Sequence, residues 1–162
     1  MTLREVRSAL SGRTPGMQDV GAEYAVLVPL VEGEEGLELL FEVRAATLSR
    51  QPGEVCFPGG RMERGETPAA CALRESWEEL AIPPARVELL AELDWVVHQS
   101  GFLLHPVLGL VDARAAAALD PNPAEGGETF QVPLEFFRSH PPVCPRYPLE
   151  PRPGADFPYD LI

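Results

Sequence analysis

The chain predicts an α/β fold, and three features carry that expectation: a strand hairpin beginning near Tyr24, a sharply capped helix beginning at Pro68, and further strand-like runs between Val87 and Val111. With 162 residues, of which 45% are hydrophobic, the sequence suits one domain over residues 1–162 with a substantial core.

Thr2 and Glu5 have capping-box spacing, and Leu3, Val6 and Leu10 share a face, so a short N-terminal helix is expected, ended by Gly12 to Gly16. Tyr24–Val31 and Leu37–Arg44 read as strands, joined as a hairpin through the glycine-containing turn Glu32–Gly36. A loop from Ala45 to Pro52 and a short extended piece, Gly53–Phe57, lead into Pro58-Gly59-Gly60, where glycine lets the backbone approach a ligand or metal closely. The next helix starts with Thr67 as N-cap and Pro68 at its first position, and Pro83-Pro84 is expected to stop it. On it, Leu73, Trp77 and Leu80 form a stripe expected to pack. Val87–Val97 and Phe102–Val111 read as strands around the His98–Gly101 turn, Asp112–Leu119 as a helix capped by Asp112, Thr129–Val132 as a strand and Pro133–Arg138 as a short helix. Ten of the 18 prolines lie from Pro121 onward, which predicts an irregular tail over about residues 139–162. No internal repeat is present.

The formal net charge of -12 argues against nucleic-acid or acidic-membrane binding, both of which need basic surfaces. All 13 basic residues are arginine, which excludes a phosphate-loop lysine and Schiff-base chemistry, so arginine must hold any phosphate that a metal does not. Three cysteines without a C-x-x-C pair suggest reduced thiols in a cytoplasmic compartment and no structural zinc. Cys71 reads as a buried small hydrophobe, while Cys56 stands beside the proline-glycine loop. The first ten residues lack the apolar core of a signal peptide, and no apolar run reaches the roughly 18 residues needed to span a membrane.

The segment GRMERGETPAACALRESWEELAI, from Gly60 to Ile82, places Glu75, Glu78 and Glu79 three and four residues apart on one helix. Like charges at those offsets destabilise a helix by roughly 0.2–0.5 kcal/mol per pair unless something neutralises them, and a divalent cation would. A solvated acidic face is the bland alternative. The fixed spacing from Gly60 through Glu66 to Arg74-Glu75-x-x-Glu78-Glu79 outweighs it.

That spacing resembles the Nudix box, the signature of hydrolases acting on nucleoside diphosphates linked to another group. Ser76 stands where the family usually has an aliphatic residue, and is expected to weaken the packing of the helix. Ala81 stands where it usually has glycine, and is expected to alter the C-terminal turn. Upstream, Leu39-Leu40-Phe41, Arg44, Leu48, Gly53 and Phe57-Pro58-Gly59-Gly60 are similar to the extra motif of Nudix coenzyme A diphosphatases, with Ala45 in place of serine and Gln51 in place of histidine. Ser100-Gly101-Phe102 with Pro106, and Asn122-Pro123-Ala124-Glu125 leading to Val132-Pro133-Leu134, also resemble that group. Members usually continue beyond Phe157-Pro158-Tyr159 into another extended segment and a closing helix. This chain stops at Ile162, so compensation by dimerisation or by the N-terminal helix is expected, or else a shortened, less stable relative.

The resemblance implies an α/β/α sandwich with a mixed sheet, acting as a monomer or homodimer. The implied reaction is hydrolysis of a diphosphate bond by a water activated on Mg²⁺ or Mn²⁺, with coenzyme A giving 3′,5′-ADP and 4′-phosphopantetheine. By the same resemblance Glu75, Glu78, Glu79 and the Gly60 carbonyl ligate the metal, and Glu75, Glu125 and Glu128 are the candidate general bases, with Glu79 the central residue. Glu66 and Arg74 are expected to be structural, with Arg74 orienting the carboxylates. Arg44, Arg50 and Arg61 are the candidates for substrate phosphate, including a 3′-phosphate, and Arg64 lies in the same region. His98 and His105 read as structural, and Trp95, Phe102 and Phe130 as core aromatics that could alternatively stack an adenine. The competing readings are a Nudix hydrolase of ADP-ribose, a dinucleotide or a nucleoside triphosphate, and a Nudix-like binding module without turnover.

Overall fold

The structure is a computed structural model that describes residues 21–148 apart from Glu35, Arg50 and Gln99, together with Thr2, Arg4, Ser8 and Ser11. Arg4 and Ser8 are helical, while Leu3, Glu5, Val6 and Leu10 of the expected N-terminal helix lie outside the described residues, as does the Phe157-Pro158-Tyr159 region.

Eight strands form one mixed sheet: β1 (Ala22–Gly33), β2 (Gly36–Arg44), β3 (Val55–Cys56), β4 (Gly59–Arg61), β5 (Val87–Glu92), β6 (Val96–His98), β7 (Phe102–Val111) and β8 (Gly126–Pro133). Among the described residues from 21 to 148, three α-helices accompany them: α1 (Pro68–Leu80), α2 (Ala113–Ala116) and α3 (Leu134–Ser139). β1 and β7 are parallel over their whole length, from Ala22↔Phe102 to Val31↔Val111, and every other pairing is antiparallel.

The registers reveal a wedge. β7 occupies one edge of β1 throughout, so β2 and β4 must share the other: Leu30–Gly33 pairs with Gly36–Leu39, whereas Tyr24–Val26 pairs with Gly59–Arg61. β8 likewise takes one edge of β2, leaving Glu42 and Val43 to pair with β3 on the other. The hairpin strands therefore splay apart beyond Leu30 and Leu39, and residues 55–61 fill the gap. Pro58 is fully buried there, and its carbonyl accepts the Leu27 N–H at 2.9 Å. Gly59 is obligatory, because a Cβ would overlap the Ala25 carbonyl oxygen and the Val26 backbone.

Alternation along the strands sends Ala25, Leu27, Val31, Leu40, Val107 and Val111 to one face, where Cys71, Ala72, Leu80 and Ile82 meet them as the core. Phe41 points to the opposite face, where it stacks on Phe57 and Phe130 and meets Phe137 of α3, its ring centroid 6.1 Å away. Helices thus lie on both faces of the sheet.

Several expectations need correction. The buried face of α1 is Cys71, Ala72, Ser76, Glu79 and Leu80, not the Leu73-Trp77-Leu80 stripe, and Trp77 is 50% exposed. Rather than weakening the contact, Ser76 lies fully buried where a small residue brings α1 close to the sheet, and its hydroxyl donates to the Ala72 carbonyl at 2.6 Å. The expected strand Val87–Val97 breaks at Leu93–Trp95 into β5 and β6, after a register shift between Leu89 and Ala91. Trp95 and Phe130 are not core residues: they are 60% and 40% exposed. The Asp112-capped helix is confined to Ala113–Ala116.

α1 also ends before the prolines reach it. Thr67 caps the start by accepting the Ala70 N–H, but the end is a left-handed Ala81, φ 57°, whose N–H reaches back to Ser76 and Trp77 carbonyls. For a residue with a Cβ this conformation costs about 1–2 kcal/mol, a cost that glycine avoids. Ala81→Gly is therefore expected to stabilise the fold by about 0.5–1 kcal/mol after glycine's own entropy loss is subtracted. Denaturant unfolding checks it, and a destabilised variant would show that the strain is relieved in solution.

Candidate active site between the wedge and α1

The wedge sets the site. It carries Gly59 and Gly60 to the inner face of α1, and α1 answers with carboxylates. Glu79, 5% exposed, accepts the Gly59 N–H at 2.7 Å. A Cβ on Gly60 would collide with the Glu75 carboxylate, so the bare backbone is what leaves room for that side chain. The Gly60 carbonyl faces the same helix and meets the Cys71 thiol at 3.6 Å.

Arg74 organises the outer half. Its guanidinium donates to Glu66 through Nε at 2.9 Å and Nη2 at 3.0 Å, to Glu75 at 2.7 Å and to Glu78 at 3.3 Å. Nη2 also donates to the Arg61 carbonyl at 3.3 Å, tying α1 to the end of β4. These bonds hold the Glu66 carboxyl down at about 2, and raise Arg74 still further, so this pair stays charged. The structural roles expected for Glu66 and Arg74 match this geometry.

The inner carboxylates are shifted the other way. Burial, then the neighbouring Glu42, pushes Glu79 up to about 8 against the opposing Gly59 hydrogen bond, with Glu75 and Glu125 adding to the rise. Burial raises Glu75 too, opposed by Arg74, with Glu78 and Glu125 adding to the shift. Glu125 is therefore brought to the cluster. Glu128 is not: it pairs with Val43, opposite in pleat to Glu42, and is exposed. Glu78 is 51% exposed at its side chain, on the rim.

Glu42 was not anticipated. It is buried to 2% exposure, accepts the Cys56 thiol at Oε1 at 3.3 Å, and faces the charges of Glu79 and Glu125. Burial pushes Cys56 up to about 12 and Cys71 up to about 11, so neither thiol is poised as a nucleophile.

Arg44 ends β2 beside this cluster, half-buried, and its backbone bonds to Glu54 and Gly53. The Ala45 N–H donates to the Glu125 carbonyl at 2.9 Å, which joins the segment after β2 to the loop before β8. Arg61 and Arg64 are exposed, and Arg50 lies outside the described residues. His105 is buried against Glu23 at 2.9 Å and His98 bonds Ser100, both apart from the carboxylates.

The donor set fits a hard divalent cation, being all oxygen and anionic, with a buried Glu42 Oε2 that has no hydrogen-bond partner among the described residues. As arranged, no three carboxylate, imidazole or thiol side chains among the described residues converge tightly enough to grip an ion. Arg74 and the Gly59 N–H draw Glu75, Glu78 and Glu79 to separate partners instead of to one point.

A NUDIX domain model matches residues 22–139. The chain is 42% identical over 134 residues to the peroxisomal coenzyme A diphosphatase NUDT7 of Mus musculus, covering 77% of this chain and 56% of that protein. It is 36% identical over 119 residues to Nudix hydrolase 3 of Caenorhabditis elegans, covering 72% and 50%. The chain thus spans about half the length of these curated relatives. In fold it is similar to a C. elegans Ap4A hydrolase, with TM-score 0.59 and 18% identity over 69% of this chain and 80% of that one. The M. smegmatis Nudix hydrolase RenU gives TM-score 0.56 and 22% identity over 74% and 77%.

The raised Glu79 has a sign that can be checked. Between its ordinary value of 4.5 and about 8 the folded chain binds more protons than the unfolded chain, so metal-free stability falls as pH rises through that window. Glu42 and Glu75 act in the same direction, whereas Glu66, lowered to about 2, is ionised throughout. Thermal melts in chelator are expected to show a shallower decline between pH 5 and 8 for Glu79→Gln than for wild type, and identical slopes would refute the shift.

Proposed function

The chain belongs to the NUDIX domain family, and from that membership we propose that it hydrolyses the diphosphate bond of a nucleoside-diphosphate-linked substrate, with coenzyme A the substrate its sequence and site fit best. The observation that carries the coenzyme A reading is the meeting of two segments at one site. Arg44 and Ala45, from the motif similar to coenzyme A diphosphatases, stand beside the loop of Glu125, whose carboxylate bears on Glu75 and Glu79 of α1, and Arg44 acts on Glu42. The likeness to the mouse enzyme supports it.

Glu75, Glu78, Glu79 and the Gly60 carbonyl would hold Mg²⁺ or Mn²⁺. Such a cation, when bound, shields the diphosphate charge and lowers the pKa of water near it. The protein's own groups do the rest. Arg74 restrains Glu75, and the Gly59 N–H fixes one Glu79 oxygen, so the carboxylates meet the substrate pre-oriented. Of the candidate bases Glu75, Glu125 and Glu128, we assign to Glu125 the acceptance of a proton from the attacking water, because Arg74 does not hold it and it bears on Glu75 and Glu79. Arg44 and Arg61 present guanidinium forks to substrate phosphates, with Arg50 a further candidate.

No helix among the described residues is long and apolar enough to cross a membrane. From the odd number of cysteines and their lack of a C-x-x-C pair we assign the chain to a reducing, cytoplasmic setting.

Two measurements test the reading. Hydrolysis should require Mg²⁺ or Mn²⁺ and vanish in excess chelator, and Glu79→Gln should lower kcat by about 10²–10³-fold at saturating metal, as for loss of one preorganised electrostatic group. Full activity in chelator, or an unimpaired Glu79→Gln, would remove the mechanism. For substrate identity, a charge-assisted bond from arginine to the 3′-phosphate is worth about 1.5–3 kcal/mol, so dephospho-coenzyme A should show kcat/KM lower by about one to two orders of magnitude. Arg44→Ala should erase most of that difference. Equal efficiency on both substrates would show that the 3′-phosphate is not read, and a preference for ADP-ribose would favour a different Nudix activity.

A further inference from the structure

Glu42 is an unusual residue to find inside this sheet. It lies at the centre of β2, paired with Cys56 on one side and Thr129 on the other, and shares its face with Leu40 of the core. At 2% exposure it has almost no access to water. Its Oε1 accepts the Cys56 thiol, a weak donor, at 3.3 Å. Its Oε2 has no hydrogen-bond partner among the described residues. Leaving a buried carboxylate oxygen unpaired is costly enough that such groups are ordinarily found bonded or bound to metal.

The unpaired oxygen lies beside the start of β8, next to the loop that carries Glu125. A methyl group added to Gly126, the residue after Glu125, would stand 3.4 Å from Oε2, so the missing side chain there keeps the space beside it open. Glu79 and Glu125 are both close enough to bear on its charge, and Arg44 is the cation that acts on it from the same strand. Glu42, Glu79 and Glu125, from β2, α1 and the loop before β8, thus bear on one another's charge without converging on one point, and Glu42 holds an oxygen in reserve.

We propose that Glu42 is a further carboxylate of the divalent-cation site, acting with Glu79 and Glu125 and using its unpaired Oε2 as ligand or as acceptor from the ion's own water. The proposal rests on the metal-dependent reading above. It assigns the wedge a second role: β3 holds Oε1 through Cys56 and leaves Oε2 as the oxygen available to the ion. A merely structural Glu42 would need its thiol bond and nothing else.

The test is binding of Mn²⁺ alone to the full chain, followed by loss of the free-ion electron paramagnetic resonance signal, with no substrate present. Wild type should bind Mn²⁺, and Glu42→Gln, nearly isosteric and still able to accept from Cys56, should bind about 10-fold or more weakly, in the range seen when partners around a metal are removed. Glu88→Gln, an exposed carboxylate on β5, should bind as wild type and so controls for net charge. Should Glu42→Gln fail to fold by circular dichroism, Glu42→Asp, which keeps the charge but withdraws it by one methylene, decides instead by the same loss. Wild-type affinity in the Glu42 variant, or an equal loss in Glu88→Gln, would overturn the proposal while leaving the metal-dependent reading intact. Absence of Mn²⁺ binding in wild type would overturn both.

Discussion

Everything at this site depends on the insertion of residues 55–61 between two strands that would otherwise pair along their full length. The insertion works because Pro58 needs no N–H partner in its buried position and Gly59 carries no Cβ to strike Ala25 and Val26. It leaves polar backbone groups deep in the domain, and each must find a partner. The Pro58 carbonyl takes the Leu27 N–H, and the Gly59 N–H takes Glu79. A structural requirement of the sheet is thereby met by a carboxylate that the proposed chemistry also calls on.

The electrostatics follow from that placement. In a chain of net charge -12 with no lysine, the outer carboxylates share a single cation, Arg74, which touches Glu66, Glu75 and Glu78 at once. The inner ones are not balanced to the same degree: Glu79, Glu75 and Glu125 lie within one another's fields, and burial raises the first two. The site is thus divided into a rim that shares a guanidinium and an interior whose carboxylates are raised by burial and by one another. On the metal-dependent proposal, that interior is where an acidic protein would draw a cation, and the cation an anionic substrate.

Much of this was legible in the sequence. The hairpin, the capped start of α1, the Phe102–Val111 strand and the short helix after Pro133 appear within a residue or two of their expected bounds, because turn glycines, N-caps and period-two alternation act locally. Misreadings arose where tertiary contacts overrode local pattern. Trp77 looked like a core residue by size, but α1 approaches the sheet closely enough that Ala72 and Ser76 fit and an indole does not. Glu42 alternates with Leu39, Phe41 and Val43 in a run that reads as an ordinary polar face. Only the cover of α1 on one side and the aromatic cluster with α3 on the other make it an interior carboxylate. The separation of Glu128 from Glu125 depends on the register of β8 against β2, which no spacing in the sequence announces.

The parallel partnership of β1 with β7 has a consequence for the time course of folding. Every pair in that ladder joins residues about 80 apart, so its formation must first meet the entropy of closing a long loop, and contacts of this kind slow the search for the native state. The hairpin, the wedge and α1 all precede β7 along the chain. During synthesis they must wait, with one long edge of β1 open, until Val111 has emerged. The interval in which Glu42 and the α1 carboxylates exist without the β1–β7 pairing is also the interval in which that bare edge is open to pairing with another chain.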